Sequence, residues 1–203
     1  RAYRNHQLME YRKLKVYLLL LVSIRRRRTR RLLNQRSIFE TMTTTAHVYP
    51  VDNIDTDRII PGKYTKTLDM SALASHVLED LDPEFAKKVQ QGDILVAGNN
   101  FGCGSSREQA PIAIKAAGIS VVVAKTFARI FYRNAINIGL PVIEVEHHNI
   151  QSGDSISVDL ENGIVTNHTK NETYQATKMP QQMIDSLNAG GLVNYLVKHG
   201  DYV

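Results

Sequence analysis

Ser105, Ser106 and Arg107 stand side by side in the stretch GNNFGCGSSREQAP at 98–111. Two hydroxyls and a cation follow three glycines, Gly98, Gly102 and Gly104. Glycine admits positive φ and lets backbone approach a ligand closely. Unpaired amides at a helix start attract anions. The guanidinium of Arg107 is forked to match a carboxylate. Together these groups suit capture of a small acidic molecule. The same composition also suits a plain turn with a helix cap, and both readings stand at this point. Nucleotide chemistry does not fit. Arg107 occupies the place where a dinucleotide fingerprint needs its third glycine, and no Gly-Lys-Ser/Thr ending forms a phosphate loop.

The flanking residues say how such a group is held. An apolar run at 93–97 predicts a strand leading in, and 110–117 a helix leading out. Pro111 favours a helix beginning near Ala110, which leaves 105–108 as an irregular turn aimed at a ligand. A second acidic stretch, Asp52, Asp55 and Asp57, lacks the glycine and late glutamate of a calcium loop. It reads as a short strand, an Asx turn and a buried acid orienting a base or a cation. The polar loop GKYTKTLD at 62–69 reads as surface, with a lip over a pocket as the alternative.

Further along, 71–89 predicts a helix capped by Ser71, and 82–91 a second short one. The β-branched run 120–124 predicts a strand buried on both faces. A helix at 128–138 and a strand at 141–145 complete a strand–helix alternation, hence a parallel α/β layer. Beyond it, 155–159 and 164–166 flank the turn signal Glu161-Asn162-Gly163, a β-hairpin. A strand at 173–177 and helices at 180–188 and 192–198 end the chain.

Charge divides the 203 residues unevenly. Residues 1–41 hold 12 Lys/Arg against 2 Asp/Glu, net +10, whereas 42–203 hold 13 against 18, net −5. The basic balance belongs to the leader. Its apolar run at 16–24 is too short to span a bilayer, and Arg25–Arg28 follow where a signal peptide needs small residues. Residues 1–41 are expected to be an extension ahead of a natural start at Met42, outside the fold. An organelle transit peptide is the alternative, and a basic arm for nucleic acid or anionic lipid a further one. The body at 42–203 is expected to contact neither nucleic acid nor membrane. The single cysteine, Cys103, excludes an internal disulfide and a self-contained cysteine-ligated cluster, and suits a cytoplasmic location. Cys103 reads as a small buried residue. His147 and His148 read as a solvated strand end. Arg129, Arg133 and Asn134 share a helix and point to a subunit interface or a buried acid.

The body resembles the small-subunit family of 3-isopropylmalate dehydratase, the detached swivel domain of the aconitase superfamily. The motifs that carry this are DNIDTD at 52–57 with IIP at 59–61, the 98–111 stretch, AKTFARIFYRN at 124–134 and NIGLP at 137–141. The resemblance covers about 46–203. It implies an α/β fold, a swivelling β/β/α domain as in aconitase domain 4, with a parallel βαβ layer and a C-terminal hairpin plus helices. It implies a hydro-lyase active only with a large subunit. That subunit, not this chain, holds the [4Fe-4S] cluster, and this chain holds no metal. It implies a small hydroxy di- or tricarboxylic acid as substrate. By the same resemblance Ser105 is the base, acting as an alkoxide, and Asp57 is the second catalytic position. Gly104, Ser106 and Arg107 bind the substrate, and Lys66 lies in the segment that selects it. Homoaconitase and 2,3-dimethylmalate dehydratase small subunits are the alternatives, since Lys66 could meet an additional carboxylate. Gln109 departs from the histidine often found after Arg-Glu. A stand-alone anion-binding module is the alternative from another class.

Overall fold

The computed structural model describes residues 44–67 and 69–200. The expected leader lies outside the described residues. Seven strands form one sheet in the order β4-β3-β2-β1-β5-β6-β7. The parallel half comprises β1 (Thr44–Tyr49), β2 (Ile94–Ala97), β3 (Val121–Ala124) and β4 (Val142–Glu144). The antiparallel half comprises β5 (Ser155–Asp159), β6 (Ile164–Asn167) and β7 (Glu172–Gln175). Strand β1 joins the halves, pairing in parallel with β2 and antiparallel with β5. The expected hairpin is thus two strands of a three-stranded extension of the same sheet.

The all-apolar sequences ILVA and VVVA are buried throughout, because side chains alternate between two separate cores. Leu95, Ala97, Val122 and Ala124 face the helical layer. Ile94, Val96, Val121 and Val123 face a second core with Ile156, Val158 and Val165. The helices are α1 (Thr56–Ile59), α2 (Met70–Ser75), α3 (Phe85–Lys88), α4 (Gln109–Ala116), α5 (Arg129–Asn137), α6 (Gln181–Asn188) and α7 (Leu192–His199).

The continuous helix expected over 71–89 is not formed. Helix α2 stops at Ser75, and Asp69, not Ser71, caps it by accepting the Ser71 amide at 2.9 Å. The break comes from Leu78. It is fully buried at φ +58°, and its amide donates to the Ile59 carbonyl at 2.8 Å. That tertiary bond turns the chain out of the helix and sinks Val77 and Leu78 into the core. The loops that leave β1 and β2 at their carboxyl ends hold the chemistry-bearing residues, the usual place in an α/β sheet.

Candidate active site

The two loops are zipped together. The Asn53 amide donates to the Asn99 carbonyl at 2.8 Å, the Gly102 amide to Ile54 at 2.8 Å, and the Thr56 amide to Cys103 at 2.9 Å. Asp52 accepts from the Asn99 amide at 2.7 Å and from its side chain at 3.1 Å. The Asn99 backbone bond, more than any other contact, holds the Asp52 carboxyl below the ordinary aspartate range. Gly98 is required by proximity: a Cβ there would sit 2.4 Å from Asp52 Oδ1.

Under the loop lies an aromatic floor. Phe101, Phe127 and Phe131 are buried, with the 101 and 131 rings edge-to-face at 5.1 Å. Gly102, at φ +78°, rests on this floor so closely that a Cβ would be 2.2 Å from Phe131 Cγ. The Asn100 amide donates to Thr126 Oγ1 at 2.7 Å, fixing the far side.

Ser105 to Glu108 are irregular, and α4 begins at Gln109 with Pro111 in its first turn, as expected from the sequence. Gly104, Ser105 and Ser106 are exposed. Neither serine hydroxyl bonds another described residue. The Ser105 backbone, in contrast, is pinned. Its carbonyl accepts from Thr56 Oγ1 at 3.1 Å and from the Arg107 amide at 2.8 Å. Thr56 is 1% exposed, so this anchor is part of the core.

Arg107 pairs through Nη1 with Asp57 Oδ1. The acid expected to be buried is not: the Asp57 side chain in this pair is 56% exposed. Helix α1 turns Thr56 and Ile59 inward, which leaves Asp57 outside. Asp55 makes the expected Asx turn, accepting the Arg58 amide at 2.8 Å. Gln109 Nε2 donates to the Thr65 carbonyl at 3.4 Å, tying the segment before Lys66 to the site. Lys66 itself is exposed and makes no ion pair with a described residue.

The structure thus brings together Asp57, Gly104, Ser105, Ser106 and Arg107, with Lys66 at the margin. Arg129 and Arg133 are exposed without an acid partner among the described residues, so no buried acid receives them. Their helix turns Phe131 inward instead. His147 is exposed, whereas His148 is half-buried with Nδ1 accepting the Ile150 amide at 3.3 Å. Among the described residues no group of three or more His, Cys, Asp or Glu could hold a metal. A four-iron cluster does not fit, because such clusters need several cysteine thiolates and the sequence has the single Cys103. Thr56, Thr126 and the three phenylalanines lie within the motifs read from the sequence, but their supporting roles were not legible there, since each acts through contacts distant along the chain.

Residues 36–148 match the family model described as the aconitase C-terminal domain. The chain belongs to that family. Within it, the small subunit of 3-isopropylmalate dehydratase from Caldicellulosiruptor bescii is 60% identical over 153 residues, 74% of this chain and 92% of the relative. The Hydrogenobaculum small subunit is 61% identical over 147 residues, 71% of this chain and 89% of the relative. A solved 3-isopropylmalate dehydratase chain from Methanocaldococcus jannaschii superposes with a TM-score of 0.74. It is 50% identical, covering 77% of this chain and 93% of that one. The aconitase-family assignment accounts for the α/β architecture inferred from the motifs.

Proposed function

We propose that this chain is the small subunit of a 3-isopropylmalate dehydratase, supplying the base and the carboxylate clamp of a shared active site. The reaction interconverts 2- and 3-isopropylmalate by removing and re-adding water. The name borne by its relatives implies a large-subunit partner. The [4Fe-4S] cluster of such enzymes belongs to that partner, because this chain lacks the ligands.

Ser105 Oγ, as an alkoxide, takes the proton from the substrate carbon. The C–H electron pair becomes the new double bond, and hydroxide leaves the neighbouring carbon with its own pair. Rehydration in the opposite sense returns the proton from Ser105 to the other carbon. Arg107 grips a substrate carboxylate, with Ser106 and the Gly104 backbone completing the cradle. Asp57 sets the guanidinium plane. One observation carries this reading: the exposed hydroxyls of Ser105 and Ser106, bonded to no described residue, immediately precede an arginine held by Asp57, on a backbone anchored to the core by Thr56. Beside the Ser105 base, Ser106 and the Arg107 guanidinium are the preorganised donors that a developing anion requires.

The test is co-purification with the large subunit and assay with isopropylmalate, homoaconitate and dimethylmalate in parallel. Ser105→Ala is expected to keep assembly and to lose about 10²–10⁴-fold in kcat, the range for a general base. A fully active Ser105→Ala complex refutes the assignment. Activity on homoaconitate instead of isopropylmalate moves the substrate and points to Lys66 as its additional clamp. Among the described residues no helix is long and apolar enough to cross a membrane. A cytoplasmic location and a functional unit confined to 42–203 are parts of the same proposal.

A further inference from the structure

The polar loop at 62–67, expected to be surface, is held from behind by an arrangement that solvated loops do not need. The Tyr64 ring lies flat on the His76 ring, centroids 3.6 Å apart and planes 5° from parallel. His76 Nδ1 contacts Glu79 at 2.8 Å, and Glu79 also contacts Lys63 Nζ at 3.3 Å. Lys63 Nζ in turn sits 4.6 Å from the Tyr64 ring centre. Burial pushes the Glu79 carboxyl up, but the bonds from His76 and Lys63 outweigh it and hold the group below its ordinary range.

The supporting turn is itself strained. Leu78 holds φ +58°, a conformation costly for a bulky side chain, at roughly 1–2 kcal/mol. Such residues persist where surrounding contacts over-determine them, and they gather near functional sites. Here the contacts are full burial of the side chain and the bond to Ile59, one residue before Ile60-Pro61 and the loop.

The front of the loop faces the site. A Cβ on Gly62 would lie 3.5 Å from Arg107 Nη2 and 3.6 Å from Asp57 Oδ1. Thr65 receives Gln109. The loop therefore has the 76–79 turn on one side and the Arg107–Asp57 pair on the other.

We infer that the 76–79 turn is a brace for the site, and that His76 and Tyr64 are positioning residues that set where Arg107 meets a carboxylate. The inference rests on the role proposed above for Arg107. The Arg107–Asp57 pair stands close in front of Gly62 and Gln109 bonds Thr65, so a shift of the loop shifts the seat of the guanidinium.

The test uses the full chain assembled with the large subunit. Tyr64→Ala and His76→Ala are expected to raise KM about ten-fold while kcat changes by less than about three-fold, since binding of the carboxylate weakens more than the chemistry. Tyr64→Phe and His76→Phe keep the stack and should stay within about two-fold of the parent in KM. Alanine variants with unchanged KM, whatever their Tm, overturn the brace. A second readout needs no activity. Amide exchange on the isolated chain should rise at both 62–65 and 107–109 in Tyr64→Ala, with β2 unchanged. A rise confined to 62–65 overturns the coupling. If the parent complex turns over none of the three acids, the catalytic reading fails and exchange alone decides the brace.

Discussion

Replacing Gly102 with alanine tests whether the phenylalanine floor sets the height of the glycine-rich loop. Two costs add. Alanine at φ +78° occupies the left-handed region, at roughly 1–2 kcal/mol. Its Cβ would stand 2.2 Å from Phe131 Cγ and 2.5 Å from Phe131 Cβ. Ordinary carbon contacts are about 3.5–4.0 Å, so the ring or the loop must move by more than an ångström. Overpacking of that kind costs about 1–3 kcal/mol. The sum is about 2–5 kcal/mol, a large share of a typical domain's stability of about 5–15 kcal/mol. At about 2–4 °C per kcal/mol for a domain of this size, Tm should fall by roughly 4–20 °C. Calorimetry on Gly102→Ala, Phe131→Ala and the double variant separates the terms. The double variant should be less destabilised than the two single losses added together, by about 1–3 kcal/mol, because the clash disappears with the ring. Strict additivity, or an unchanged Tm for Gly102→Ala, refutes the argument that the floor supports the loop.

Other expectations follow from the same contacts. Thr56→Val keeps the shape but removes the bond to Ser105, and should cost about 1 kcal/mol and lower kcat, read by denaturant unfolding and steady-state assay. Asp57→Asn should change stability by less than about 1 kcal/mol because the pair is partly exposed, yet lower kcat/KM by at least about ten-fold through a misdirected Arg107. Deleting 1–41 should leave kcat and KM of the complex unchanged. Asp154 accepts the Gln151 amide and the Asn167 side chain, which lower its carboxyl below the ordinary value. A depressed folded pKa stabilises fully above the unfolded value near 4 and is lost as pH falls through the lower folded value. Tm measured from pH 5 down to pH 2 should therefore drop less steeply in Asp154→Asn than in the parent.

Much of the architecture was legible because it depends on local pattern. The run at 121–124 announces a two-sided strand, and Glu161-Asn162-Gly163 announces the return from β5 to β6. The glycine-rich loop was legible as an irregular turn because Pro111 limits where α4 can begin. What the sequence hid was tertiary. The break after Ser75 depends on Leu78 meeting Ile59, and no propensity encodes that bond. The acidic stretch at 52–57 was expected to bury an acid, but one short helical turn sends Thr56 inward and Asp57 out. The ring pair of Tyr64 and His76 joins residues whose spacing corresponds to no helix or strand period.

The place of β1 bears on how the chain folds as it is made. It is the first described strand in the chain and the middle of the finished sheet. Its partner β2 comes some fifty residues later, and its other partner β5 more than a hundred, as in the contact from Thr44 to Ile156. During synthesis at about 5–20 residues per second, one flank of β1 stays open for several seconds after β2 has docked. An open strand flank is a template for pairing with another chain. Self-association of nascent chains should therefore be most frequent in the interval before β5 emerges from the ribosome.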